Sequence, residues 1–258
     1  MDNTVKEPLI HLSKREDMSF GKKWLVRIIA ILLSLIVCAG FIFIIIKMNP
    51  VEVYEGIVEG AVGTGRRFWV TARDALTLLC VAVAVTPAFK MKFWNIGAEG
   101  QILMGCVASA AMMIYAGNAL PTGLLLVLMF VCSFIAGGIW GIIPAFFKAR
   151  WNTNETLFTL MLNYVAMQVV TFCIVYWENP AGSNSVGIIN APTRAGWLPQ
   201  LFGLDYGWNL AIVLLLTVLM FIYMKRTKHG YEIAVVGESE NTARYAGINV
   251  GKVIVRTV

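Results

Sequence analysis

Long apolar blocks, broken by short polar stretches, run through the chain from Trp24 onwards. They do not follow the two- or 3.6-residue alternation of a core that shows one face to water. A helix crosses a bilayer with about 20 mostly apolar residues. The blocks predict six spans, at roughly 24–46, 70–89, 102–116, 121–147, 157–177 and 208–224. The second has Arg73 and Asp74 at its mouth and the third is short, so their ends are the least defined. The expected fold is all-α, a polytopic transmembrane helix bundle. The first block follows a polar tail, residues 1–23, and no small-residue cleavage pattern comes after it before Lys47. It is too long for the core of a cleaved signal peptide and reads as a retained anchor.

Charge orients the spans. With the N-terminus in the cytoplasm, only Lys47, Arg66, Arg67, Arg73 and Arg194 of the 21 basic residues fall outside. Lys6, Lys14, Arg15, the lysines at 90 and 92, and the cluster Lys225, Arg226 and Lys228 all fall inside. Basic residues favour the cytoplasmic side, and an odd number of spans would scatter this division. The two longest outside segments are then 47–69, with Glu52, Glu55 and Glu59, and 178–207, rich in Gly, Pro, Asn and Ser. The latter has the composition of a loop, with Trp177, Trp197 and Trp208 placed for the membrane interface.

Composition agrees with the pattern. Hydrophobic residues make up 58% and charged ones 14%, with mean hydropathy +0.72. That leaves too little polar surface for a soluble domain, where about a quarter of residues are charged. The net charge of +6 lies in loops and tail rather than in a basic patch, which excludes nucleic-acid binding. Cys38, Cys80, Cys106, Cys132 and Cys173 lie singly inside apolar stretches, so neither a disulfide scaffold nor a metal site is expected. His11 and His229 fall outside the spans, and no nucleophile–base or paired-carboxylate motif marks a catalytic centre.

Polar groups at the edge of the apolar blocks carry the remaining information. Lys90-Met-Lys-Phe-Trp-Asn-Ile-Gly-Ala-Glu-Gly-Gln101 brings Asn95, Glu99 and Gln101 to the bilayer, interleaved with Gly97 and Gly100. Non-helical polar backbone at membrane depth needs protein or a water-filled path around it. Two glycines around a carboxylate therefore suggest a helix break beside a cavity, while the flanking lysines fit an ordinary cytoplasmic turn equally well. Asn163, one turn from Thr159 in the fifth span, suits an interhelical hydrogen bond or contact with a polar solute. Gly137 and Gly141 share a helix face, where a neighbouring backbone can approach closely.

Three segments resemble one family. Phe93-Trp-Asn-Ile-Gly-Ala-Glu-Gly-Gln-Ile-Leu-Met-Gly105, Asn154-Glu-Thr-Leu-Phe-Thr-Leu-Met-Leu-Asn-Tyr164, and Gly230-Tyr-Glu-Ile-Ala-Val-Val-Gly237 with Ala243-Arg-Tyr-Ala-Gly-Ile248 occur in order. Together they look like the signatures of ABC importer permeases for nucleosides and simple sugars, which group with the ribose and branched-chain amino-acid permeases. Trp94 departs from the smaller or simply apolar residue usual there. Members of the family continue with further spans, so the chain is expected to be a C-terminally truncated piece of a permease domain covering 24–258.

The resemblance implies a multi-pass protein of the bacterial cell membrane that works by alternating access. ATPase subunits, a second permease subunit of the same or a paralogous kind, and an extracytoplasmic solute-binding lipoprotein would be its partners. No Gly-x-x-x-x-Gly-Lys-Ser/Thr phosphate loop occurs, so ATP would be used by the partner and no cofactor bound directly. Asn95, Glu99, Gln101 and Asn163 would line or shape the path of a small polar solute. In the cytoplasmic segment 225–252, Ser239 can cap a short helix that Gly247 ends. Such a helix is either a plain surface helix or, as the resemblance implies, the piece that couples to the ATPase through Gly237, Ser239, Arg244, Tyr245 and Gly247. A branched-chain amino-acid permease shares this mechanism. A secondary transporter would carry ionisable groups inside its spans, which here are nearly free of charge.

Overall fold

The computed structural model describes residues 19–201 and 206–258. Residues 1–18 of the predicted tail, including Lys6, His11, Lys14 and Arg15, and residues 202–205 of the second outside segment lie outside the described residues. The described chain is helical: α1 (Phe20–Phe41), α2 (Pro50–Val62), α3 (Gly65–Lys90), α4 (Ala98–Ala116), α5 (Thr122–Trp151), α6 (Glu155–Tyr176), α7 (Gly207–Arg226), α8 (Lys228–Glu238), α9 (Glu240–Tyr245) and α10 (Val250–Thr257). Among the described residues, six helices are long and apolar enough to cross a membrane: α1 with its π-helical extension to Ile46, and α3, α4, α5, α6 and α7. These are the six predicted spans, most of them longer by a few residues at one or both ends. Their outward faces carry large apolar side chains, such as Phe130, Phe134 and Phe172, each more than two-thirds exposed. A surface of that kind suits lipid or a further apolar helix rather than water.

The chain divides into two compact units at Thr71 and Ala72, within α3. In the first, α1 ends at Lys47, whose φ of 57° is left-handed. The chain then turns back so that the Tyr54 hydroxyl of α2 donates to Leu35 O at 2.7 Å. Segment 47–69 is therefore largely helical. Asn49 caps α2 by accepting from Val51 N at 3.1 Å, and Pro50 occupies the first turn, where its missing N–H costs nothing. Arg67 reaches from α3 to Glu59 at 3.5 Å.

In the second unit, small residues set the spacing between helices. A side chain at Gly137 would meet Gln101 O at 3.2 Å, and Gly141 faces the Gln101 amide and Val258 O. The predicted close approach at this pair is thus made by α4 to α5. An apolar core lies at one end of the unit, formed by Ala88 and Met91 at the end of α3, Phe93, Ala145 of α5, and Ile233, Val236, Ala243, Val250, Val253 and Ile254 of α8 to α10. Gly230 and Gly237 mark where α8 touches the spans. A Cβ at Gly230 would lie 2.5 Å from the carbonyls of Tyr223 and Met224, and one at Gly237 would collide with Lys90 O. His229 is buried, with Nδ1 3.3 Å from Glu232 and Nε2 3.2 Å from the Thr257 hydroxyl. It joins α8 to α10.

Candidate functional site

Two buried apolar side chains fix the segment between α3 and α4. Met91 and Phe93 enter the core, while Lys92 between them takes φ 61°. Phe93 N donates to Ala88 O at 3.0 Å, closing the end of α3. The chain then runs non-helically to Gly97, and alternate residues point inwards: Phe93, Asn95 and Gly97 are buried, Trp94 and Ile96 exposed. Gly97 N donates to Asn95 Oδ1 at 3.0 Å, a short turn of the kind asparagine favours.

From α6, Asn163 completes the arrangement. Its Oδ1 accepts from Gly100 N at 2.8 Å, and its Nδ2 donates to Ile96 O at 2.9 Å. Gly100 N lies in the first turn of α4, where amides have no partner within the helix. One amide side chain thus serves both a helix start and the non-helical segment before it. Asn163 is 4% exposed and Thr159 beside it fully buried.

The glycines act here through size. Gly97 has φ −77°, open to any residue, and Gly100 lies inside α4. A Cβ at Gly97 would come 2.9 Å from that of Thr159, and one at Gly100 would come 2.8 Å from Asn163 Oδ1 and 3.0 Å from Trp140 Nε1. The helix break predicted at Gly97 and Gly100 runs over 91–97, so that Gly97 closes it as the N-cap of α4 and Gly100 already lies inside the helix. Its left-handed residue is Lys92.

Beside this segment lies a cavity of about 550 Å³ among α3, α4, α5, α7 and the end of α10. Its polar lining includes Asn95, Gln101, Ser133 and Thr257, and Cys80, Val85 and Leu216 are among its apolar walls. Of the four residues expected at a path, Asn95 and Gln101 line it. Asn163 stands behind as a clamp on the backbone, and Glu99 is exposed in the first turn of α4, where a negative charge suits the helix N-terminus. Ser133 and Thr257 carry no signal in the sequence, because a single hydroxyl in a helix makes no pattern. Trp140, whose indole N–H is buried without a partner among the described residues, gave no signal either.

The second motif builds the α5–α6 corner. Asn152 takes φ 51° and closes α5 by donating to Lys148 O. Asn154 caps α6 through Leu157 N at 3.1 Å, and Glu155 pairs with Lys148 at 2.9 Å. The third motif builds α8 to α10. Ser239 caps α9, accepting from Thr242 N at 3.3 Å. Gly247, at φ 76°, donates to Arg244 O, and Ile248 N donates to Ala243 O at 2.9 Å, the paired bonds of a glycine-terminated helix. Ala243 is buried, while Tyr245 is 94% exposed and Arg244 projects nearby with Glu240 at 3.8 Å. The short helix at 239–247 therefore exists with the predicted start and stop.

Six membrane-length helices among the described residues, with a packed helical core of α8 to α10 at the end of α3, define a multi-pass membrane protein. The chain belongs to the branched-chain amino acid transport system / permease component family, matched over residues 69–258. It is 29% identical over 241 residues to a guanosine ABC transporter permease protein of Bacillus subtilis (strain 168), covering 91% of this chain and 67% of that protein. It is likewise 29% identical over 244 residues to a nucleoside ABC transporter permease protein of Lactococcus lactis subsp. cremoris (strain MG1363), covering 91% and 66%. A glucose ABC transporter permease protein of Haloferax volcanii is 28% identical over 233 residues, covering 84% and 59%. The chain thus spans two thirds or less of the length of these relatives, to the nearest per cent. No solved structure matches it.

Proposed function

We propose that the chain is the membrane-embedded permease part of an ATP-binding cassette importer for nucleosides or related simple sugars, in a bacterial plasma membrane with its N-terminus inside. The observation that carries the reading is the likeness to nucleoside permeases over 91% of the chain. The cavity beside the first motif supports it. Its volume of about 550 Å³ falls in the range of about 300–1,000 Å³ usual for small-molecule sites. Neutral amides and hydroxyls in an apolar wall suit an uncharged, hydroxyl-rich solute better than a zwitterionic amino acid, whose two charges would need partners.

In this reading Asn95 and Gln101 touch the solute and Asn163 holds the backbone that presents them. Glu99 sits at the helix start without facing the cavity. The exposed tip of α9, with Arg244 and Tyr245, docks on the ATPase, and Gly237 keeps α8 tight against Lys90 so that movement at the tip reaches α3. ATP is consumed by that partner. A second permease subunit and a solute-binding lipoprotein complete the importer.

The test is uptake by vesicles holding the full permease with its ATPase and binding protein. Uridine or guanosine should enter only with ATP inside the compartment where α9 lies, and excess leucine should not compete. Uptake driven by a proton or sodium gradient without ATP, or competition by leucine alone, overturns the reading.

A further inference from the structure

A second cleft, of about 440 Å³, lies where α3 and α7 end and α8 begins. Lys90 and Lys225 line it, with Thr86, Met224, Thr227 and Tyr231. Both threonine hydroxyls are already used inside their own helices: Thr86 donates to Ala82 O at 2.7 Å and Thr227 to Tyr223 O at 2.6 Å. The side-chain donors left to face a ligand are the two ammonium groups and the Tyr231 phenol. No carboxylate lines the cleft among the described residues. The neighbouring cleft below Met91 differs, since Lys92 and Lys148 there are matched by Glu155, Glu238 and Glu240. Two ammonium groups that line one cleft without a carboxylate suit an anionic ligand.

Position says which anion. α3 and α7 both have the length and hydropathy of membrane spans, so the cleft lies at the level where hydrocarbon gives way to headgroups. Directly above it, Phe221 and Ile222 of α7 are exposed and offer a wall for acyl chains. Tyr231, 64% exposed, is the aromatic expected at that depth. The first turn of the eleven-residue α8 adds its positive end.

We propose that this cleft binds the phosphate headgroup of an anionic phospholipid, held between Lys90 and Lys225. A basic pocket between spans is a recognised form of lipid site. The proposal rests on the membrane location of the helices and is independent of the solute carried, so its failure would leave the transport reading untouched.

The test is native mass spectrometry of the full-length purified protein in detergent, mixed with dioleoylphosphatidylglycerol or dioleoylphosphatidylcholine. The glycerol lipid should be retained in preference. Each lysine lost should weaken retention about fivefold, the size of one basic residue near an anionic surface, so Lys90→Gln with Lys225→Gln should weaken it about 25-fold. Lys90→Arg with Lys225→Arg should keep it. Ala234→Asp, which leaves both lysines in place and supplies an internal counter-ion, should abolish it. Removing charge elsewhere, as Lys47→Gln with Lys252→Gln, should change nothing. Equal retention of the two lipids, or phosphatidylglycerol binding unmoved by the glutamine or aspartate variants, overturns the proposal. So does displacement of the lipid by an equal concentration of inorganic phosphate, which would mark a free-anion site. A glutamine variant that binds lipid normally but no longer assembles with its ATPase would assign the cleft to a protein partner instead.

Discussion

Asn163 shows how one side chain joins two parts of a membrane protein. Its amide has one acceptor and one donor face, and Gly100 N and Ile96 O occupy both. Replacement by leucine keeps the branched heavy-atom shape and leaves both backbone groups without a partner. The expected loss is about 1–3 kcal/mol, read as a lower unfolding temperature in detergent. An unchanged temperature would mean that water takes the place of the amide. Gly100→Ala attacks the same contact from the other side. A methyl group 2.8 Å from Asn163 Oδ1 must push α4 from α6, at a cost of about 1–3 kcal/mol. Within the cavity, Gln101→Leu should reduce uptake at least tenfold, and Glu99→Gln, outside the lining, should reduce it less. The reverse order would place the solute on the exposed face of α4. From residue types, Asn163 reads first as an interhelical bond and second as a solute ligand. Only the distance to Gly100 separates the two, because that partner is 63 positions away in the chain.

Elements are legible where their signals are local. Ser239 and Gly247 announced the short helix between them, because capping needs only neighbouring backbone. Ser239→Ala should cost about 0.5–2 kcal/mol, and Gly247→Ala about 1–2 kcal/mol for the left-handed backbone. Tyr245→Ala removes a side chain that touches almost nothing in this chain. It should leave thermal stability unchanged and lower the stimulation of ATP hydrolysis by solute and binding protein. A fall in both would make Tyr245 a packing residue rather than a docking one. α2 has equally local signals in Asn49 and Pro50, yet its 13 residues are too few to cross the bilayer, and its three glutamates hide the helix within a polar segment. Glycines were the harder case. At Gly97, Gly100 and Gly237 the need is for space beside another element, which the residue name alone does not distinguish from a need for unusual backbone angles.

For the whole molecule, α3, α4, α5, α7 and the end of α10 line a cavity that no single helix reveals. It can be probed through Cys80 and Cys106, which both line it, with Cys38 on α1 as the control. A maleimide should label Cys80 and Cys106 more slowly at saturating nucleoside, by about tenfold if [L] is ten times Kd or more, with Cys38 unaffected. Equal rates with and without solute would remove the cavity from the transport path.

The sequence by itself determined the six spans, the all-α class, the start and stop of α9 and the family, since each depends on residues close together in the chain. Tertiary structure alone decided that α8 to α10 share a core with the end of α3, that the Asn163 amide is taken up by backbone at Gly100 and Ile96, and that Lys90 and Lys225 line one cleft. Hydropathy reports how a segment partitions between water and lipid. Which helix lies beside which is set by small-residue contacts and single hydrogen bonds between distant positions, and these leave no periodic trace.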